Sequence, residues 1–179
     1  MPESEYIYKV VLAGDPRVGK TSVRLRYLGK GFEGSYLHTI GADFAKKTVS
    51  KPGFTVQFQI WDLSGQHSFH SVRVRYYDNA SAIIFMFSVV DSNSFFNIYN
   101  WLTEYFKNTE NKKTPIFLMV GNKIDLSNER KVSLQDIKLQ TASFKREFNI
   151  DFIYFETSAL SGQNVDLVFD TIIEKIMKD

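Results

Sequence analysis

The chain has 179 residues, 44% of them hydrophobic and 23% charged, with a formal net charge of +2. Those proportions suit one domain with its own core, and a charge this near neutrality gives no electrostatic case for nucleic acid or an anionic membrane. There is no cysteine, so disulfides, thiolate metal sites and prenyl or palmitoyl attachment are excluded. The start, Met1-Pro2-Glu3-Ser4-Glu5, is too acidic for a signal peptide, and no apolar run approaches the ~20 residues of a membrane helix. A cytoplasmic protein is the expectation.

The first predicted element is a strand at 6–13, YIYKVVLA, which runs straight into GDPRVGKT at 14–21. A helix follows over about 20–29. ADFAKKTV (42–49) is a more amphipathic strand, suited to a sheet edge, and the turn KPGF (51–54) joins it to FTVQFQIW (54–61) as a hairpin. Helical pattern over 67–78 leads to the strand AIIFMFSV (82–89), and pattern over 93–108 leads to PIFLMVG (115–121). A helix over 134–148, the strand DFIYFE (151–156) and a helix over 165–178 complete the chain. Near-continuous apolar strands with helices between them predict an α/β fold: six strands, mostly parallel with one antiparallel edge, covered by helices on both faces. One domain over 1–179 is expected, with 1–5 and 179 as flexible ends. Sites are expected in the loops at the carboxyl ends of the strands.

Gly14, four residues, then Gly19-Lys20-Thr21 is a phosphate-loop frame in its proper context of strand, glycine loop and helix. Backbone N–H groups from Arg17, Val18, Gly19, Lys20 and Thr21 would surround a β-phosphate at the helix N-terminus, with Ser22 next in the first turn. Lys20 would reach the β and γ oxygens, and the Thr21 hydroxyl would ligate Mg²⁺. By itself this motif specifies only a nucleoside triphosphate. GNKID (121–125) specifies the base: Asp125 accepts from both guanine N1–H and N2–H₂, a donor pair adenine lacks. The Lys123 stem can lie across the base, and Asn122 can tie this loop to the phosphate loop. In ETSAL (156–160), the Ala159 N–H could donate to guanine O6 and Ser158 could brace the Asp125 loop.

With these three motifs in order, the sequence resembles the Ras superfamily of small GTPases over about 6–178, and is most similar to the Rab branch. The resemblance implies GTP/GDP and Mg²⁺ as ligands, slow GTP hydrolysis, and a molecular switch working in membrane trafficking or signalling. YLHTIGADF (36–44) resembles switch I. Tyr36 would lie by the nucleotide, Thr39 matches the threonine that senses Mg²⁺ and the γ-phosphate, and Phe32 matches an aromatic edge-on to guanine. WDLSGQ (61–66) resembles the start of switch II. There Asp62 matches the acid holding Mg²⁺ through water, Gly65 the N–H that meets the γ-phosphate, and Gln66 the residue positioning the attacking water. Lys20 and Thr39 join Gln66 as the catalytic set. TIGADF, QIWDLSGQ and RYYDNASAIIFMF (75–87) are similar to Rab switch flanks. Phe44, Trp61 and Tyr76 fall where Rab proteins present an aromatic triad to effectors; the other aromatics read as core. Exchange factors and GTPase-activating proteins are the further implied partners, and a monomer is expected.

Several residues depart from the family pattern. Leu63 and Ser64 stand where Thr and Ala are usual, His67 where Glu is usual, and Leu160 where many members have a base-covering Lys. His38, His67 and His70 read as exposed loop positions. Rab proteins end in a segment with prenylated cysteines, whereas this sequence stops at Asp179. Either a tail is missing, and membrane attachment with it, or no lipid anchor is used. Pro16 lacks an N–H, but the loop's contacts come from residue 17 onward, so nucleotide binding is expected to survive while the approach of a partner's arginine finger is altered. Arg17 either points to solvent or adds charge to the phosphates. Two rivals stay open: a GTP-binding scaffold that scarcely hydrolyses, and a P-loop kinase or ATPase, the latter disfavoured by Asn122, Lys123 and Asp125.

Overall fold

All six predicted strands form, and they make one sheet. The structure, a computed structural model, describes residues 4–31, 39–109 and 114–178, and His67 without its side chain. The strands are β1 (Ser4–Gly14), β2 (Ala42–Lys51), β3 (Phe54–Leu63), β4 (Ala82–Ser88), β5 (Ile116–Asn122) and β6 (Ile153–Thr157). Their order across the sheet is β2-β3-β1-β4-β5-β6. Only the β2/β3 hairpin is antiparallel, in the register Phe44↔Trp61, and β2 is the edge. The reversal of order beside β1, where the chain passes from β1–β3 to β1–β4, opens the crevice in which sheets of this kind hold ligands.

Period-two alternation divides the core between the faces. Val10 and Leu12 pack with Val23 of α1 (Lys20–Tyr27) and Phe169 of α6 (Val165–Ile176). Their neighbours Val11 and Ala13 join the other face, with Leu102 of α4 (Ile98–Asn108) and Phe144 of α5 (Leu134–Phe148). β4 is buried on both sides, as a central parallel strand must be. Here the phenylalanines concentrate: Phe85 stacks on Phe117 and meets Phe152 edge-on, and Phe144 of α5 packs tilted against Phe152. The start of α5 is fixed by a reciprocal cap between Ser133 and Asp136.

Two predicted helices form differently. The pattern over 67–78 winds as a 3-10 turn (His67–Phe69), a short helix α2 (His70–Arg73) and a second 3-10 turn (Val74–Tyr76). Its inward anchors, Arg73 and Tyr77, both bind Glu104 of α4. The segment therefore wraps a carboxylate instead of burying an apolar stripe. The pattern over 93–108 divides into α3 (Ser92–Phe96) and α4. They meet at Asn97, whose side chain turns away to donate to Asp15 at 2.5 Å. No helix among the described residues is long and apolar enough to cross a membrane.

Candidate nucleotide site

The loop after β1 closes tightly. Gly19 has φ +98° and immediately precedes α1, with no side chain capping the helix, so the first-turn N–H groups face the loop. A Cβ at Gly19 would stand 2.2 Å from Asn122 Nδ2, so only glycine lets the base loop approach this closely. Asn122 Nδ2 donates to the Val18 carbonyl at 2.9 Å, the tie the sequence predicts. Lys20 is buried, and its Nζ donates to the carbonyls of Gly14 at 2.6 Å and Asp15 at 2.8 Å. Burial pushes the ammonium down to about 8, against the pull of Asp62 and Asp15. Phosphate oxygens in this loop would restore its charge. Pro16 and Arg17 are both exposed, so the two odd residues of the motif lie on its outer side. Arg17 itself takes a left-handed φ of 64°.

Three residues far apart in sequence converge beside the loop. Thr21 Oγ1 donates to Asp62 Oδ2 at 2.6 Å and lies 3.0 Å from Thr39 Oγ1, which is 3.5 Å from the same carboxylate oxygen. Asp62 is fully buried at the end of β3, and burial raises its carboxyl above the usual range. Its second oxygen, Oδ1, is buried and unpartnered. Two hydroxyls and one carboxylate, whose Oδ1 is still an open acceptor, are a hard-oxygen donor set that suits Mg²⁺ and its water shell. Gly65 presses on the loop: a Cβ there would lie 2.3 Å from the Pro16 nitrogen. Ser64 N donates to Gly41 O at 2.8 Å, joining the two switch segments through backbone. The Gln66 carbonyl accepts from Arg73 Nη1 at 2.7 Å.

The base loops lie at the ends of β5 and β6. Ser158 Oγ donates to Asp125 Oδ1 at 2.5 Å, as predicted. Lys123 takes a left-handed φ of 71°, and burial lowers its ammonium. Asn122 Oδ1 accepts from Thr157 Oγ1 at 3.1 Å and from Ala159 N at 3.2 Å. The Ala159 N–H is therefore engaged within the protein, not pointing free into the site. Leu160 is exposed, in place for an apolar lid, and Ser22 is half-buried in the first turn of α1. The predicted nucleotide residues Phe32 and Tyr36, and His38, lie outside the described residues. His70 is on α2 and not in a loop, with Nε2 3.4 Å from Glu104. Phe44, Trp61 and Tyr76 pack in a continuous row, with tilted rings and centroids 4.7 Å apart at both contacts.

Sequence reasoning missed the residues that hold this site from outside its motifs. Asn97 and Trp101 clamp the Asp15 carboxylate, Trp101 Nε1 at 2.7 Å. Arg26 donates to the carbonyls of Ala159 and Leu160, fixing the base loop to α1. Arg24 is buried between Asp43 and Asp62. One signal was available: residues 20, 23, 24 and 27 share the inward face of α1, so an arginine at 24 sits where an apolar residue would be expected.

A model of the Ras family matches residues 9–178. Human Ras-related protein Rab-9A is 38% identical over 173 residues, covering 96% of this chain and 83% of the relative. RABD2c of Arabidopsis thaliana is 39% identical over 171 residues, 94% of this chain and 79% of the relative. Rab-13 of Mesocricetus auratus is 37% identical over 174 residues, 97% and 81%. Membership of this family implies effectors, exchange factors and GTPase-activating proteins as partners in general. The phosphate loop, the guanine-reading loops and these matches together place the chain in the Ras family, as a Rab-like small GTPase that binds guanine nucleotide and hydrolyses GTP as a switch in membrane trafficking.

Proposed function

We propose that residues 1–179 form one G domain in which Lys20 and the N–H groups of residues 17–21 hold the phosphates of GTP or GDP. Asn122, Lys123, Asp125, Ser158 and Leu160 hold the guanine, and the Ala159 N–H would leave Asn122 Oδ1 to reach guanine O6. Phe32 and Tyr36, outside the described residues, are assigned to the same nucleotide by the family resemblance. The observation that carries the reading is the convergence of Thr21, Thr39 and Asp62 on one buried spot with an unpartnered acceptor, Asp62 Oδ1. These three would hold Mg²⁺, which when bound neutralises the charge that develops on the β- and γ-phosphate oxygens. Lys20 shares that charge from the opposite side of the loop. Gln66 orients the attacking water with its side-chain amide, and the Thr39 carbonyl accepts from the same water.

The switch follows from two contacts that depend on the γ-phosphate, the Gly65 N–H and the Thr39 hydroxyl. While both are made, the segments at 39–44 and 61–76 present Phe44, Trp61 and Tyr76 as one surface to effectors. Phe44 is 40% exposed, although strand aromatics usually turn inward, which supports a partner-facing role. The protein works as a monomer on the cytoplasmic side, peripheral on intracellular membranes if a lipidated tail follows Asp179.

Single-turnover hydrolysis of bound GTP tests the reading. Wild type is expected to turn over at ~10⁻⁴ per second unaided. Gln66→Leu is expected to be at least ~10-fold slower with GDP affinity unchanged, since the side chain acts on water and not on nucleotide. Equal rates in the two proteins would remove Gln66 from the mechanism.

A further inference from the structure

The inward face of α1 carries a cation the motifs do not require. Arg24 is 5% exposed, and its Nη2 pairs with Asp43 at the start of β2. Its Nε lies 3.8 Å from Asp62 Oδ2 and is buried without a hydrogen-bond partner. A guanidinium fixed by one carboxylate would close on it with two parallel bonds. Here the group is shared instead, spanning the carboxylate of the metal pocket and the carboxylate at the root of switch I. Asp43 is itself held in place, its Oδ1 accepting from Phe44 N at 2.8 Å.

The charges decide what this does. Around Asp62 stand two carboxylates, Asp62 and Asp43, and two buried cations, Lys20 and Arg24. Lys20 is committed to the phosphate loop. Among the described residues Arg24 pairs with the two carboxylates, and it offsets one of the two negative charges a divalent cation would meet on this side. We propose that Arg24 is a positioning residue that acts through Asp62: a resident counter-cation that keeps the carboxylate placed when metal is absent and weakens the site's hold on divalent metal. The proposal rests on the assignment of Thr21, Thr39 and Asp62 as the metal site. Its consequence is functional. Metal retention and nucleotide retention are linked in such a site, so Arg24 raises the metal concentration needed to hold GDP and readies the protein for exchange.

The test measures metal affinity directly. GDP-loaded protein is titrated with Mn²⁺, and free Mn²⁺ is read by its electron paramagnetic resonance signal. Arg24→Leu is expected to bind Mn²⁺ about three- to tenfold tighter, because removing one nearby cation strengthens attraction for a divalent ion. Asp43→Asn keeps the acceptor for Phe44 N but removes a charge, so it is expected to bind Mn²⁺ more weakly. The second change is the smaller, because the Asp43 side chain is 58% exposed and screened. Arg24→Lys should match wild type. The opposite signs separate an electrostatic role from a structural one, which would weaken binding in every variant. If Arg24→Leu fails to fold, Arg24→Lys still separates the two roles: it matches wild type if charge is what matters, and weaker binding in it overturns the proposal. No tightening in Arg24→Leu, or unchanged affinity in Asp43→Asn, overturns the proposal. Asp62→Ala is the control for the underlying assignment. If it leaves Mn²⁺ binding intact, the metal site itself is misassigned; if it abolishes binding while Arg24→Leu changes nothing, only the role of Arg24 falls.

Discussion

At the scale of single residues, the two odd members of the phosphate loop have different positions from its working members. Val18, Lys20 and the glycine at 19 are held by buried partners, whereas Pro16 and Arg17 face outward. Pro16 is nonetheless pinned from behind: the backbone of Gly65 lies so close that a single added carbon would overlap the Pro16 nitrogen. Its ring therefore stands at the rim between the phosphate loop and the segment that carries Gln66. A partner's arginine entering toward the phosphates is proposed to pass that rim. Pro16→Gly is expected to leave GDP affinity unchanged, because the missing N–H is not among those that meet phosphate. Turnover stimulated by a GTPase-activating protein is expected to change by on the order of tenfold, the effect of ~1.4 kcal/mol on a barrier. Titrating the activator against both proteins checks this, and matching stimulation would show that the ring is irrelevant to the partner.

At the scale of elements, the segment after β3 depends on one buried ion pair. Arg73 binds Glu104 with Nε at 2.8 Å and Nη2 at 2.6 Å, lies 4.3 Å over the Trp101 ring, and donates to the Gln66 carbonyl. Tyr77 adds a 3.0 Å hydrogen bond to the same carboxylate, whose charge, after burial, drives the phenol well above its usual range. Glu104→Ala leaves Arg73 buried and uncompensated, so it is expected to cost about 3–5 kcal/mol by chemical denaturation. Arg73→Leu combined with Glu104→Leu is expected to recover much of that, which a strictly additive pair of losses would contradict. This network also marks the limit of what was legible in the sequence. The strands were readable because Val, Ile and Phe repeat on a short period, and the nucleotide loops because their residue types and spacing are dictated by phosphate and guanine. Arg73, Glu104, Trp101 and Asn97 follow no such rule. Each is an ordinary residue in a helical pattern until the fold brings Asn97 and Trp101 to Asp15, Arg73 to the Gln66 carbonyl and Glu104 to Arg73. The broken helix at Asn97 was illegible for the same reason: the competing partner, Asp15, is far away in sequence.

At the scale of the whole molecule, the site is a meeting of strand ends that have little else in common. The loop after β1, Asp62 on β3, Asn122 on β5 and Ala159 after β6 belong to four strands; Thr21 and Val18 of the phosphate motif bond to Asp62 and Asn122, and Asn122 bonds on to Ala159. Asn122 is the hub, bonded to Val18, Thr157 and Ala159. A guanine nucleotide held as proposed would contact all of these loops in the native fold and none of them in the unfolded chain, so its binding would stabilise the molecule as a unit. At a concentration of GDP about a thousand times its dissociation constant the gain is ~4 kcal/mol. For a domain of this size that corresponds to a rise of roughly 8–16 °C in Tm. ATP at the same concentration is expected to give far less, because Asp125 finds no N1–H and N2–H₂ donor pair on adenine. Asp125→Ala removes that pairing and frees Ser158 Oγ, so the GDP-induced rise should shrink to the level given by phosphate contacts alone. Thermal denaturation of nucleotide-stripped protein with GDP, ATP or neither, in wild type and Asp125→Ala, measures all of this together. A rise with ATP equal to that with GDP in wild type would mean that the base loops do not read guanine, and the assignment of Asn122, Lys123 and Asp125 would have to be abandoned.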